Sequence, residues 1–146
     1  MRETYVTEDL LNTLIALEIR GNENYTRLAA QAPDSRSQEL FSLLAAQELK
    51  HKAIYEGFKT HLGTDGEADA EYLNYVALLL EKQIPVIAEA RVPEDFEAGF
   101  RLAVTLEKET LFFLHEVKNL LPAEQASQVE PLIREERKHL QYLLEY

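Results

Sequence analysis

Glu48-Leu49-Lys50-His51 and Glu136-Arg137-Lys138-His139 repeat one phrase, a glutamate followed three residues later by a histidine. Each copy has a lone glutamate upstream, Glu18 for the first and Glu107 for the second. The spacings nearly match: Glu18 and Glu48 are 30 residues apart, Glu107 and Glu136 are 29. The second set therefore duplicates the first.

The surroundings of each set read as a helix. Phe41, Leu44, Glu48, His51, Tyr55 and Phe58 recur at alternating steps of three and four, which is the buried seam of an amphipathic helix. Glu48 and His51 occupy core slots one turn apart on the same face. Leu11, Leu14, Glu18, Tyr25 and Leu28 form a second seam, and Phe96, Phe100, Ala103, Glu107, Leu114 and Val117 a third. Val129, Leu132, Glu136, His139 and Leu143 form the fourth. An ionisable group interrupts the apolar stripe in every helix.

Height along the helices can be counted from the turns. Pro33-Asp34 lies 15 residues from both Glu18 and Glu48. In an antiparallel hairpin both carboxylates then stand about 22 Å from the turn. Pro122 lies 15 residues after Glu107 and 14 before Glu136, so the second pair is levelled in the same way. Four glutamates and two histidines are expected in one layer of one core.

Four buried carboxylates without partners would be prohibitive, because each buried ion costs several kcal/mol even after relaxation. They can protonate, pair with buried cations, or bind metal. No Lys or Arg occupies these seams. Two divalent ions would cancel the four negative charges, and a mixed carboxylate and imidazole set suits iron or manganese. Without thiolates, a structural zinc site fits less well. A single Glu-x-x-His is commonly a solvated pair; two copies in core slots, each with a core glutamate at matching height, are much harder to obtain by chance.

The expected organisation is a single domain over residues 1–146, all-α, with helices at about 7–32, 35–62, 68–84, 94–121 and 123–145. Thr7 is the expected cap of the first helix, with Glu8 and Asp9 in its first turn. Pro33-Asp34-Ser35 separates the first two, and Ser35-x-x-Gln38 reads as a capping box. Gly63-Thr64-Asp65-Gly66 ends the second helix. Tyr72, Val76, Leu79 and Leu80 mark a short helix that Pro85 ends or kinks; its apolar face would cover the bundle or meet a second subunit. Val92-Pro93-Glu94-Asp95 opens the next long helix, with the proline in its first turn. Pro122-Ala123-Glu124 opens the last, where Pro131 bends it or delays its start. Two antiparallel hairpins joined by a long crossover form a four-helix bundle of ferritin-like connection.

The net charge of −11 disfavours nucleic acid and anionic membrane surfaces. There is no cysteine, which excludes a disulfide framework, a zinc ribbon and an iron–sulfur site. No signal-peptide pattern or apolar run of about 20 residues is present, so a cytoplasmic location is expected.

The motifs resemble those of the rubrerythrin-like branch of the ferritin-like superfamily, over nearly the whole chain. Leu106-Glu107-Lys108-Glu109-Thr110-Leu111-Phe112-Phe113 is similar to the family's third-helix phrase. Leu17-Glu18 followed by Tyr25 is similar to its first-helix phrase, and the two Glu-x-Lys-His segments to its second and fourth. The resemblance implies that Glu18 and Glu107 are terminal ligands, that Glu48 and Glu136 bridge two metals, and that His51 and His139 each hold one. It implies two iron ions, with manganese as an alternative, and a small oxidant, peroxide or oxygen, as substrate. The implied activity is that of a di-iron oxidoreductase in oxidative-stress defence or iron handling. It also implies a homodimer.

Two departures shape this expectation. Typical rubrerythrins end in a four-cysteine rubredoxin domain; this chain lacks those cysteines, so electrons would come from an external donor such as rubredoxin. Peroxide-reducing rubrerythrins carry an extra glutamate where Thr110 stands, which moves the expectation toward oxidase or ferroxidase chemistry. The chain ends seven residues after His139, leaving no room for the fifth helix of cage-forming ferritins, and Met1 is its single methionine, so a methionine-ligated haem is not expected. Tyr25, one heptad beyond Glu18, reads either as a core tyrosine with a satisfied hydroxyl or as a hydrogen-bond or electron donor to the site. Tyr55 takes the related slot after Glu48 with less claim to a role. His61 and His115 fall off the ligand pattern and read as surface residues; Glu109 and Glu135 neighbour ligands but point to other faces, and read either as solvated or as supports to the ligands. A non-catalytic iron carrier, a di-manganese site of catalase type and a metal-free interaction bundle are the competing functions.

Overall fold

The computed structural model describes residues 6–60, 62, 69–82 and 91–146. The described residues form five helices and no strand: α1 (Val6–Gln31), α2 (Ser35–Lys59), α3 (Ala70–Lys82), α4 (Phe96–Lys118) and α5 (Ala123–Glu145). The fold is an all-α helical bundle of ferritin-like type. None of the described helices is long and apolar enough to cross a membrane.

Local chemistry sets the helix ends. Asp34, not Ser35, is the N-cap of α2; its carboxylate accepts from the Ser37 amide at 2.8 Å. Asp95 caps α4 by accepting from the Ala98 amide at 3.0 Å, so Pro93 precedes the helix instead of lying in its first turn. Thr7 lies inside α1 and is buried. In α2 and α4 the carboxylate nearest the turn reaches an otherwise unpaired helical N–H. Pro131 lies inside α5, which begins at Ala123, so it does not delay the helix. The predicted Gly63–Gly66 break and the Pro85 kink fall outside the described residues.

The packing follows the seams. α1 pairs most extensively with α2, then α4 with α5 and α1 with α4; α2 and α5 meet along only a short line. The α1–α4 contact is pinned by Asn24, which donates from Nδ2 to the Gly99 carbonyl at 2.8 Å. A β-carbon on Gly99 would stand 3.1 Å from Leu28, so the glycine permits that close approach. α3 lays Val76 into the core, and its Tyr72 hydroxyl donates to the Glu116 carbonyl at 3.1 Å. The short helix therefore covers one end of the bundle.

Two apolar clusters fill the interior. One gathers Leu10, Leu14, Phe58, Val76, Leu114 and Val129, among others; the second gathers Tyr25, Leu28, Phe41, Leu44, Ala103 and Leu143. Each fully buried leucine or phenylalanine contributes about 2 kcal/mol. Between the clusters lies a polar layer, and the six sequence-selected residues are its content.

Candidate metal centre

Glu18 comes from α1, Glu48 and His51 from α2, Glu107 from α4, and Glu136 and His139 from α5. None is more than 2% exposed, so water reaches none of these charges appreciably. The structure brings all six together as two overlapping groups. Glu18, Glu48, His51 and Glu136 form one; Glu48, Glu107, Glu136 and His139 form the other. Within each group the donor atoms lie within 4.8 Å of one another. Glu48 and Glu136 belong to both. Each group offers three carboxylates and one imidazole.

Both histidines turn Nδ1 inward. His51 donates from Nδ1 to Glu136 Oε1 at 2.5 Å and stands 3.4 Å from Glu18 Oε2. His139 Nδ1 lies 3.3 Å from Glu48, 3.5 Å from Glu136 and 3.6 Å from Glu107, and makes a sound hydrogen bond with none. The two rings stack at 5.6 Å between centroids, inclined by 18°. Their outer nitrogens are held as well. His51 donates from Nε2 to Glu135 Oε2 at 2.5 Å, and His139 Nε2 donates to Gln47 Oε1.

The layer is strained electrostatically. Burial, followed by repulsion from Glu136, raises the Glu18 carboxyl well above its ordinary range. Burial and the charges of Glu107, Glu18 and Glu136 do the same to Glu48. Burial and Glu136 raise Glu107 to about 8. Glu136 goes the other way: burial would raise it, but Glu107 and the two imidazoles outweigh burial and hold it below the usual carboxylate range. Burial opposes charge on His139, yet Glu107, Glu136 and Glu48 push it up to about 12. His51 is raised against burial by Glu136 and Glu135.

Six atoms of the six candidate ligands are buried with no hydrogen-bond partner: both oxygens of Glu18, Glu48 Oε1, Glu107 Oε2, Glu136 Oε2 and His139 Nδ1. An unsatisfied buried polar group costs about 1–3 kcal/mol, more when charged. Several in one layer form a ligand set that cations would satisfy. Oxygen and imidazole nitrogen without sulfur fit iron or manganese, and two divalent ions match four carboxylates in charge.

The fold and this layer agree with a comparison of the sequence with known families. The family model for rubrerythrin matches residues 9–146. The chain belongs to the rubrerythrin family. No curated protein and no solved structure gives a significant match. Rubrerythrin membership together with the buried carboxylate and histidine cluster points to a di-metal site.

The remaining residues of this rubrerythrin-family chain sort clearly. Tyr25 is buried and donates to Glu107 Oε1 at 3.0 Å. Burial and the charge of Glu107 raise its pKa, so it stays an O–H donor at neutral pH. Tyr55 is buried with a hydroxyl that has no partner. Thr110 is buried one turn after Glu107. His115 is exposed, and His61 lies outside the described residues. Glu109 is half-buried; burial raises its carboxyl. Glu135 is half-exposed at 53%, yet it holds His51.

Gln47 and Gly21 border the ligand layer, and the seam pattern passes over both. Gln47 and Glu135 each immediately precede the glutamate of a Glu-x-x-His copy, and that shared position is the signal for both. Gly21 lies one turn after Glu18, and a β-carbon there would stand 2.9 Å from Glu48 Oε2. The glycine leaves the Glu48 carboxylate its place. Gly21→Ala should gain about 1 kcal/mol of helix propensity, yet weaken metal binding about ten-fold by displacing Glu48. Metal titration of the variant checks this, and unchanged affinity would contradict it.

Proposed function

We propose that the chain is a non-haem di-iron oxidoreductase of rubrerythrin type that reduces peroxide or oxygen, or oxidises ferrous iron, in oxidative-stress defence or iron handling. One observation carries the reading: two four-residue ligand groups share Glu48 and Glu136. In it, Glu18 and His51 hold one ion, Glu107 and His139 hold the other, and Glu48 and Glu136 serve both. When bound, a ferrous pair would supply the two electrons that reduce a small oxidant.

The chain's own residues supply placement, charge and dryness. The four carboxylates neutralise the ions, and the apolar clusters on either side exclude water from the layer. Tyr25 holds Glu107 through a neutral O–H, keeping a proton donor inside the layer. Glu135 and Gln47 fix each imidazole with Nδ1 inward. In this reading an external donor such as rubredoxin returns the electrons. Thr110, in place of the extra glutamate of peroxide-reducing relatives, favours oxygen or ferrous iron over peroxide.

The test is to load the apoprotein anaerobically with ferrous iron, mix it rapidly with oxygen or with peroxide, and then supply reductant. Bound iron should oxidise faster than free iron, and turnover should follow. The faster oxidant identifies the substrate. Bound iron that oxidises no faster than free iron would leave the carrier reading.

A further inference from the structure

The duplicated phrases are matched in their inward residues and unmatched in their outward ones. His51 Nε2 donates to a carboxylate, Glu135, at 2.5 Å; His139 Nε2 donates to a neutral amide, Gln47. The two partners occupy the same position of the repeat, so the difference is one of chemistry and not of register. A carboxylate behind an imidazole makes it a stronger electron donor to a cation than an amide does.

A second difference lies on the opposite helices. Glu107 Oε1 accepts a hydrogen bond from Tyr25 at 3.0 Å, which draws electron density away from that carboxylate. Both oxygens of Glu18 lack a hydrogen-bond partner. The residue that repeats the Tyr25 spacing after Glu107 is Leu114, which has no hydroxyl to offer. The carboxylate and imidazole proper to the His51 group are thus both the richer donors. Those proper to the His139 group are both the poorer.

We propose that Glu135 and Tyr25 make the two halves of the centre unequal, so that the Glu18–His51 half binds the first divalent cation and the Glu107–His139 half the second. The inference rests on the two-ion reading above. Glu135 and Gln47 act here as positioning residues, through the imidazoles they hold. Their exchange is nearly isosteric, so the order of filling can be reversed with little change in packing.

Zinc serves as a diamagnetic probe of the [15N]histidine-labelled apoprotein, titrated to two equivalents. The resonances of His51 and His139 are assigned with His51→Gln and His139→Gln. Near one equivalent, His51 should report coordination first, with the two stepwise constants about ten-fold apart. Glu135→Gln should collapse that separation, and Glu135→Gln combined with Gln47→Glu should put His139 first. Tyr25→Phe should narrow the gap by strengthening the His139 half. Simultaneous filling in the unaltered chain, or an order unchanged in the exchanged variant, would overturn this inference alone. No zinc at either imidazole would overturn the two-ion reading with it.

Discussion

Glu48→Gln and Glu136→Gln should both abolish two-ion binding, and yet only Glu136→Gln should destabilise the apoprotein. Each removes a carboxylate common to both ligand groups, and an amide is a poor substitute anionic ligand. Metal content should fall from two ions per chain to one or none. Without metal the two positions differ. Glu48 is raised by burial and by three neighbouring carboxylates, so its charge is unwelcome in the empty layer. Replacing it by an amide should leave the apoprotein unchanged or more stable. Glu136 is the carboxylate held low beside both imidazoles, 2.5 Å from His51 and 3.5 Å from His139. Its removal takes from His51 its buried counter-ion and from His139 one of three neighbouring carboxylates, which costs about 3–5 kcal/mol. Urea denaturation of the metal-free variants, with metal analysis of the loaded ones, checks both halves. Equal destabilisation by the two substitutions would contradict the charge assignment.

The second large effect is a reversal of pH dependence on metal loading. Three carboxyls, Glu18, Glu48 and Glu107, are raised in the fold. Above 4.5 and up to the folded pKa, the folded chain holds protons that the unfolded chain has lost, so stability falls as pH rises. For Glu107 this window runs from 4.5 to about 8. The raised histidines act with the same sign above 6.5, in the case of His139 up to about 12. Glu136 opposes them: its stabilisation is present above 4.5 and is lost as pH falls through its lowered pKa. The apoprotein should therefore be most stable near pH 5. Its Tm should fall by about 10 °C between pH 5.5 and 8.

Metal inverts the sign. Ions require deprotonated carboxylates and neutral imidazole nitrogen, so loading at neutral pH expels several protons per chain and affinity rises with pH. The loaded protein should be more stable at pH 8 than at pH 5.5. Thermal scans of both forms across this range, with calorimetric titration in two buffers to count released protons, test the point. An apoprotein that is more stable at pH 8 would contradict it.

Much of the site was legible because its seams are amphipathic and duplicated. Glu18, Glu48, Glu107 and Glu136 interrupt apolar stripes, and a core slot is a property of helical period that sequence displays directly. Equal residue counts from Pro33 and Pro122 levelled the four carboxylates, since rise per residue is constant. The turns were less legible, because two adjacent polar residues compete for each cap. Asp34 prevails over Ser35, and Asp95 caps where Pro93 was expected to begin the helix.

The outer supports were only partly legible, Glu135 as an alternative to a solvated residue and Gln47 not at all, for a different reason. Glu135 and Gln47 lie on the outward side of their own helices, where a polar residue ordinarily faces water. Their role arises because the imidazole of the opposite helix reaches across the thin α2–α5 contact. Helical period states which face a residue occupies, not which side chain arrives there from a neighbour. Gly21 is similar: its importance lies in the Glu48 carboxylate that fills the space a methyl would take.

The central claim is that six buried side chains form one site for two metal ions. Its most direct measurement is an anaerobic equilibrium titration of the apoprotein with ferrous iron, counting ions bound per chain. The account predicts two per chain, reduced to one or none in Glu48→Gln and in Glu136→Gln. A single ion in the unaltered chain, or two ions still bound in both variants, would contradict it.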